Sequence, residues 1–139
     1  GDEINFIDFK DVESANVINF GWPLDTYGVD YNEDKWPLSL IPHHHQRYTK
    51  PNFAFLPSVA TSHMSFINNF HVEWDGSFLV STLKNKALYR LKVDKDNIIK
   101  YVQPIQFRYR IRYILINKKQ IILWTDQNRI IRLQPSEKD

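Results

Sequence analysis

Along its second half the chain repeats one pattern: a short apolar or alternating run, then a few polar turn residues. "SFLVSTL" (77–83), "ALYRLKV" (87–93), "NIIKYVQ" (97–103), "RIRYILI" (110–116), "QIILWT" (120–125) and "RIIRLQ" (129–134) recur at roughly ten-residue spacing, with "KNK", "DKDN", "NKK" and "DQN" between them. β-Branched and aromatic residues fill the runs, and no window carries the period of an amphipathic helix. Short runs joined by such turns predict an antiparallel meander, as in sandwiches, barrels and propeller blades.

The first half is less regular. "EINFIDF" (3–9) alternates, predicting a strand with Ile4, Phe6 and Asp8 on one face, and "PSVATSHMSF" (57–66) predicts the start of another. Residues 21–51 hold four of the seven prolines and two of the four glycines, which predicts a long loop. Long loops in compact domains commonly carry function or rim a ligand.

Composition bounds this picture without changing it. A chain of 139 residues with 42% hydrophobic and 14% aromatic content has enough apolar surface for one folded domain. No apolar run approaches the roughly 20 residues that cross a bilayer, so no membrane span is expected. The absence of cysteine excludes disulfides, thiol nucleophiles and Cys-ligated zinc. The chain opens on Gly1 rather than Met, which predicts a piece of a longer protein and leaves its compartment open.

Charge changes the picture more. The net +2 conceals residues 1–83 with 4 Lys/Arg against 11 Asp/Glu, and residues 84–139 with 14 against 5. Such a split marks complementary surfaces, a basic site for an acidic ligand, or only scattered surface lysines. In "FRYRIRYILI" (107–116), Arg108, Arg110 and Arg112 fall on every second residue. On a strand they would share one face, at a cost in like-charge repulsion, so that face is either solvated or built to receive an anion. The acidic half opposes a large polyanion, and no nucleic-acid partner is expected. A small, multiply charged anion suits guanidinium forks better.

Other candidate chemistry is weaker. "HHH" (43–45) invites a metal, but consecutive residues of an extended loop cannot all face one ion, and an exposed loop is the favoured reading. His63 and His71 could act as general bases, yet lone histidines in a β protein are more often structural. No nucleophile elbow, Walker loop or dinucleotide glycine fingerprint appears.

Several stretches together resemble one family. "GDEIN" with "NFGWPLDTYGVDY" (19–31), "FLPSVATSHMSF" (55–66), "FLVSTLKNKALYRLKVD" (78–94) and "RIRYILINKKQIILWTDQNRIIRLQP" (110–135) are similar, in order, to motifs of the soluble pyrroloquinoline quinone (PQQ)-dependent glucose/sorbosone, or aldose sugar, dehydrogenases. The resemblance implies an all-β fold: a partial β-propeller, the C-terminal blades of a six-bladed propeller with antiparallel four-stranded blades. Residues 1–56 would be the end of an earlier blade plus the long loop, 57–104 one full blade, and 105–139 a last, incomplete blade. Open strand edges would then invite self-association.

By the same resemblance, Lys84, Arg110 and Arg112 match cofactor-carboxylate contacts, and Phe55 stands where the family has a cofactor-side tryptophan. The family binds PQQ and calcium, oxidises the anomeric hydroxyl of an aldose and passes electrons to an external acceptor. Its catalytic histidine belongs to N-terminal blades and its calcium ligands lie upstream of Gly1, so this chain carries no catalytic or metal residue and is not expected to act alone. Three positions depart from the pattern: Tyr113 replaces an aspartate, His63 a glycine, and "NKK" a Gly-Pro-Asp-Gly turn. These departures keep an alternative open, a non-catalytic propeller serving as a binding or scaffold module. A periplasmic or secreted location carries over from the family.

Overall fold

The computed structural model describes residues 1–10, 17–32, 36–39, 41 and 43–136. It divides into two compact units, Gly1–Val59 and Ala60–Asp139. Among the described residues the named elements are nine β-strands.

In the first unit, β1 (Asp2–Ile4) pairs antiparallel with β2 (Phe53–Phe55), Glu3 opposite Ala54. The alternation of residues 3–9 predicts a longer strand than this. β1 stops because a side chain takes over the ladder: Phe6 donates its N–H to Asn52 Oδ1 at 2.7 Å. Phe6 is exposed and Ile4 only half-buried, so the expected shared face of Ile4, Phe6 and Asp8 is not a buried one. β2 has only three residues, too few for alternation to reveal it.

The described part of the 21–51 loop contains turns and an isolated bridge from Thr26 to His44. Gly21 starts its first turn at φ +91°, and a Cβ there would lie 2.6 Å from the Asp25 carbonyl oxygen. Only glycine fits this position without moving the turn.

The second unit holds two antiparallel sheets. The first orders β3 (Thr61–Phe66), β4 (Ser77–Thr82), β5 (Ala87–Val93) and β6 (Ile99–Gln106); the second orders β7 (Ile111–Asn117), β8 (Gln120–Thr125) and β9 (Ile130–Leu133). Central β4 is almost wholly buried, whereas β6, at the sheet edge, has only half-buried and exposed residues. Pro104, which cannot donate to a ladder, sits on that edge strand.

The four hairpin turns each contain a non-glycine residue with positive φ: Lys86, Asn97, Lys118 and Asn128. Asparagine tolerates this left-handed geometry better than lysine does. Asp94 reinforces its turn, its Oδ1 accepting N–H groups from Asp96 and Ile98 at 2.9 Å.

Leu79 and Leu88 of the first sheet, with Ile67 and Phe70 before β4, form one buried cluster with Ile111, Ile114, Ile121 and Leu123 of the second. Two serines stitch the edge strands together: Ser62 Oγ donates to the Ile111 carbonyl at 2.6 Å, and Ser65 Oγ to the Ile114 carbonyl at 3.2 Å. Matching Ser62 with Ile111 and Ser65 with Ile114 makes β3 and β7 run in the same direction. Their N-terminal ends therefore lie at one end of the unit.

Candidate functional site

Alternation predicts Arg108, Arg110 and Arg112 on one strand face; the structure separates them. Arg108 lies in a bend and Arg110 just before β7, so only Arg112 belongs to the strand. The β7–β8 register then shifts: Ile111 faces Thr125, but Tyr113 faces Trp124. Arg112 is the extra residue of this β-bulge, and bulges redirect side chains.

Both remaining arginines turn onto Asp126, which follows β8. Arg110 Nε lies 3.2 Å from Asp126 Oδ2, Arg112 Nη2 donates to Oδ2 at 3.2 Å, and Arg112 Nε donates to Oδ1. The Arg112 hydrogen bond, aided by the charges of Arg112 and Arg110, holds the Asp126 carboxyl below its ordinary range despite an opposing desolvation. Reciprocally, the hydrogen bond that Arg112 donates to Asp126 raises the Arg112 guanidinium. Both arginine side chains remain half exposed.

Asp126 itself is fixed from behind. Its N–H donates to the Arg110 carbonyl at 3.1 Å, while the buried Thr125 donates both N–H and Oγ–H to the Arg129 carbonyl. Asp126 was missed in the sequence because it matters only once β7 and β8 pair. Folding "RIRYILINKKQIILWTD" about its "NKK" turn sets Asp126 opposite Arg110, and this is the signal that could have found it.

Lys84 is exposed in the turn between β4 and β5. Thr61 at the start of β3 pairs with Thr82 at the end of β4, so this turn lies at the same end of the unit as Arg110, Arg112 and Asp126. Gln106 Nε2 donates to the Asn85 carbonyl at 2.8 Å, and Phe107 N–H to the Lys86 carbonyl at 2.8 Å. The Lys84 turn is thereby tied to the segment leading into the arginines.

Phe55 belongs to the first unit. It is buried at the end of β2, its ring 4.9 Å from that of Phe53, edge to face. The structure thus brings Arg110 and Arg112 together and puts Lys84 at their end of the second unit, whereas Phe55 is packed in the first.

The histidine run is only in part the exposed loop its polarity predicts: His43 is exposed and His44 half-buried, but His45 is buried. Its Nε2 lies 2.7 Å from the Phe20 carbonyl, and its ring packs 5.4 Å from Tyr27. Asp25 Oδ2 lies 3.8 Å from His45 Nδ1 and accepts the N–H groups of Gln46 and Arg47, each at 2.7 Å. Burial pushes the Asp25 carboxyl up, but these N–H donors, His45 and the Tyr48 N–H outweigh it, leaving the carboxyl below its ordinary range. Histidine and aspartate here organise the loop. Among the described residues no group of three or more His, Asp or Glu is arranged to hold a metal ion.

The two unusual positions, His63 and Tyr113, meet each other. Their ring centroids lie 4.0 Å apart across the β3–β7 seam with the planes tilted by 42°, and Tyr113 is half exposed. His63 follows a second bulge, in which Ser62 is the extra residue. His71 lies in the β3–β4 connection, where its Nδ1 accepts the Glu73 N–H at 3.3 Å.

Comparison with known proteins gives this geometry a context. An uncharacterised protein of Synechocystis, slr1608, is 26% identical over 96% of this chain and 31% of its own length. The aldose sugar dehydrogenase YliI of Escherichia coli is 29% identical over 70% of this chain and 24% of its own. A glucose dehydrogenase crystal structure superposes with a TM-score of 0.72 at 25% identity, covering 87% of this chain and 36% of that one. The soluble aldose sugar dehydrogenase of Escherichia coli in its apo form superposes with a TM-score of 0.67 at 25% identity, over 84% and 34%. The chain therefore spans about a quarter to a third of these relatives, and its sheets are a partial β-propeller. With residues 1–132 matching the family described as glucose/sorbosone dehydrogenase, the chain belongs to that family.

Proposed function

We propose that the protein containing this chain oxidises the anomeric hydroxyl of an aldose with PQQ, and that Lys84, Arg110 and Arg112 hold carboxylates of the cofactor. The convergence of Arg110 and Arg112 at the end of β7, the end that also carries Lys84, is the observation that supports this reading most. The donor set suits a polycarboxylate: guanidinium forks take carboxylates bidentately, and a lysine adds a mobile point charge. Their partial exposure leaves a ligand room to reach them.

When bound, PQQ supplies the two-electron acceptor that an alcohol oxidation requires. This chain's residues bind and orient. The arginines fix the ligand's position through its carboxylates, and their positive charge favours an acceptor that becomes more negative. By the family resemblance, the base for the sugar hydroxyl proton and the calcium ligands belong to other parts of the protein.

The reading is tested by aldose-dependent reduction of an artificial electron acceptor by the full-length protein. Activity should require both PQQ and calcium, and Arg110→Ala and Arg112→Ala should each weaken the PQQ response about ten- to hundredfold. Activity without PQQ, or arginine variants that respond like wild type, would refute it. The contacting His63 and Tyr113 rings favour a second reading, a propeller that binds without catalysing, because they fill positions where the family pattern has a glycine and an aspartate. That reading predicts no aldose oxidation under any loading.

A further inference from the structure

Asp126 appears at first to neutralise the site described above. A carboxylate already seated on two arginines could compete with any incoming anion. The contact geometry argues otherwise, and we propose that Asp126 is a positioning residue that presents Arg110 and Arg112 to a ligand bearing at least two carboxylates. This inference rests on the cofactor reading given under Proposed function.

Which edges of the guanidinium groups are used decides the matter. A guanidinium has N–H donors on a side-on edge (Nε with one Nη) and on an end-on edge (the two Nη groups), and each edge can fork a carboxylate. Asp126 takes the side-on edge of Arg112, through Nε to Oδ1 and Nη2 to Oδ2. Nη1 and the second Nη2–H remain, and together they form the end-on edge. On Arg110 the ion pair likewise involves Nε, leaving both terminal nitrogens for another partner. One carboxylate therefore grips both stems and leaves both outward forks available.

The anchor is rigid where the arginines are not. Both arginine side chains are half exposed, whereas that of Asp126 is less so, at 24%. Its backbone is pinned between the Arg110 carbonyl and the closed turn from Thr125 to Arg129. Arg112 also leaves from a bulge, where strand geometry alone does not set its direction. Free arginines would have to be ordered when a ligand binds, at a cost set by lost rotamer freedom. Asp126 orders them beforehand and relieves the repulsion between two adjacent cations. The cluster keeps a net charge of +1, and two forks in fixed relation select for a ligand with two carboxylates.

The sign of the effect separates positioning from competition. Removing the Asp126 charge raises the cluster to +2, which by charge alone would tighten binding of an anion. Positioning predicts the reverse. PQQ is titrated in the presence of calcium into the full-length wild-type protein and its Asp126→Asn, Asp126→Glu, Arg110→Ala and Arg112→Ala variants, with thermal midpoints recorded alongside. Asp126→Asn should weaken PQQ binding about five- to tenfold, from the ordering cost of two long side chains. Asp126→Glu, which keeps the carboxylate, should recover part of the loss.

Equal or tighter binding by a folded Asp126→Asn protein, while the arginine variants lose affinity, overturns the positioning role and leaves the cofactor reading standing. A wild-type protein that does not bind PQQ, or arginine variants that bind it normally, overturns both. If Asp126→Asn does not fold, Asp126→Glu decides. Its longer stem should misplace the forks and weaken binding measurably, and wild-type affinity would overturn the proposal.

Discussion

The seam between the two sheets rests heavily on one small side chain, and its removal gives a sharp prediction. Ser62 Oγ donates to the Ile111 carbonyl at 2.6 Å and lies 2.8 Å from Ser81 Oγ. Ile111 is fully buried, and it stands between Arg110 and Arg112. In Ser62→Ala the Ile111 carbonyl, at a fully buried residue, loses this donor. A lost hydrogen bond costs about 0.5–1.5 kcal/mol net, and a buried acceptor left without a partner about 1–3 kcal/mol. Ser62→Ala should therefore destabilise the protein by about 1–3 kcal/mol.

Ser65 provides the internal control. Its bond to the Ile114 carbonyl is longer, 3.2 Å, so Ser65→Ala should cost about 0.5–1 kcal/mol. Denaturant-induced unfolding of both variants, read from the shift in midpoint at constant slope, measures the two costs. A Ser62→Ala change below about 0.5 kcal/mol, or a larger loss from Ser65→Ala, would refute the account of the seam, since 0.5 kcal/mol is the low end of a net hydrogen bond.

Other sites give independent tests. Leu123→Ala, in the fully buried cluster shared by the two sheets, should cost about 2–5 kcal/mol, measurable by the same unfolding assay. Asp25→Asn should loosen the loop and speed amide exchange at Gln46 and Arg47, whose N–H groups the carboxylate accepts. Because the folded Asp25 carboxyl titrates below its ordinary value, its contribution is present above about pH 4 and is lost as pH falls through the lowered value. Acid unfolding should accordingly be less steep in Asp25→Asn. A double-mutant cycle between His63→Ala and Tyr113→Ala should return a coupling of about 0.5–1.5 kcal/mol for the tilted ring pair, and simple additivity would contradict their contact.

The strands of the second unit were legible because each is a short β-branched or aromatic run bounded by polar turn residues. "ALYRLKV" and "QIILWT" became β5 and β8 with those boundaries. Features that depend on a distant partner were not legible. The strand from Glu3 ends early because Asn52, far along the chain, supplies a side-chain acceptor. The polar "HHH" hides a buried His45, since its burial depends on Phe20, Asp25 and Tyr27 from the other side of the loop. Arg110 and Arg112 were legible as a basic pair, but the bulge at Arg112 that accompanies their convergence on Asp126 comes from the β7–β8 register. Asp126 required that same register, because charge alone gave no reason to choose it among other acids.

The central claim is that Arg110 and Arg112 form a carboxylate clamp for PQQ. Its most direct test is the equilibrium dissociation constant of PQQ, with calcium present, for the full-length protein and for a folded Arg112→Ala variant. The account predicts saturable binding by wild type and an affinity about ten- to hundredfold lower in the variant, the loss expected for a charge-assisted fork. Wild-type protein without saturable PQQ binding, or an Arg112→Ala variant with unchanged affinity, would contradict it.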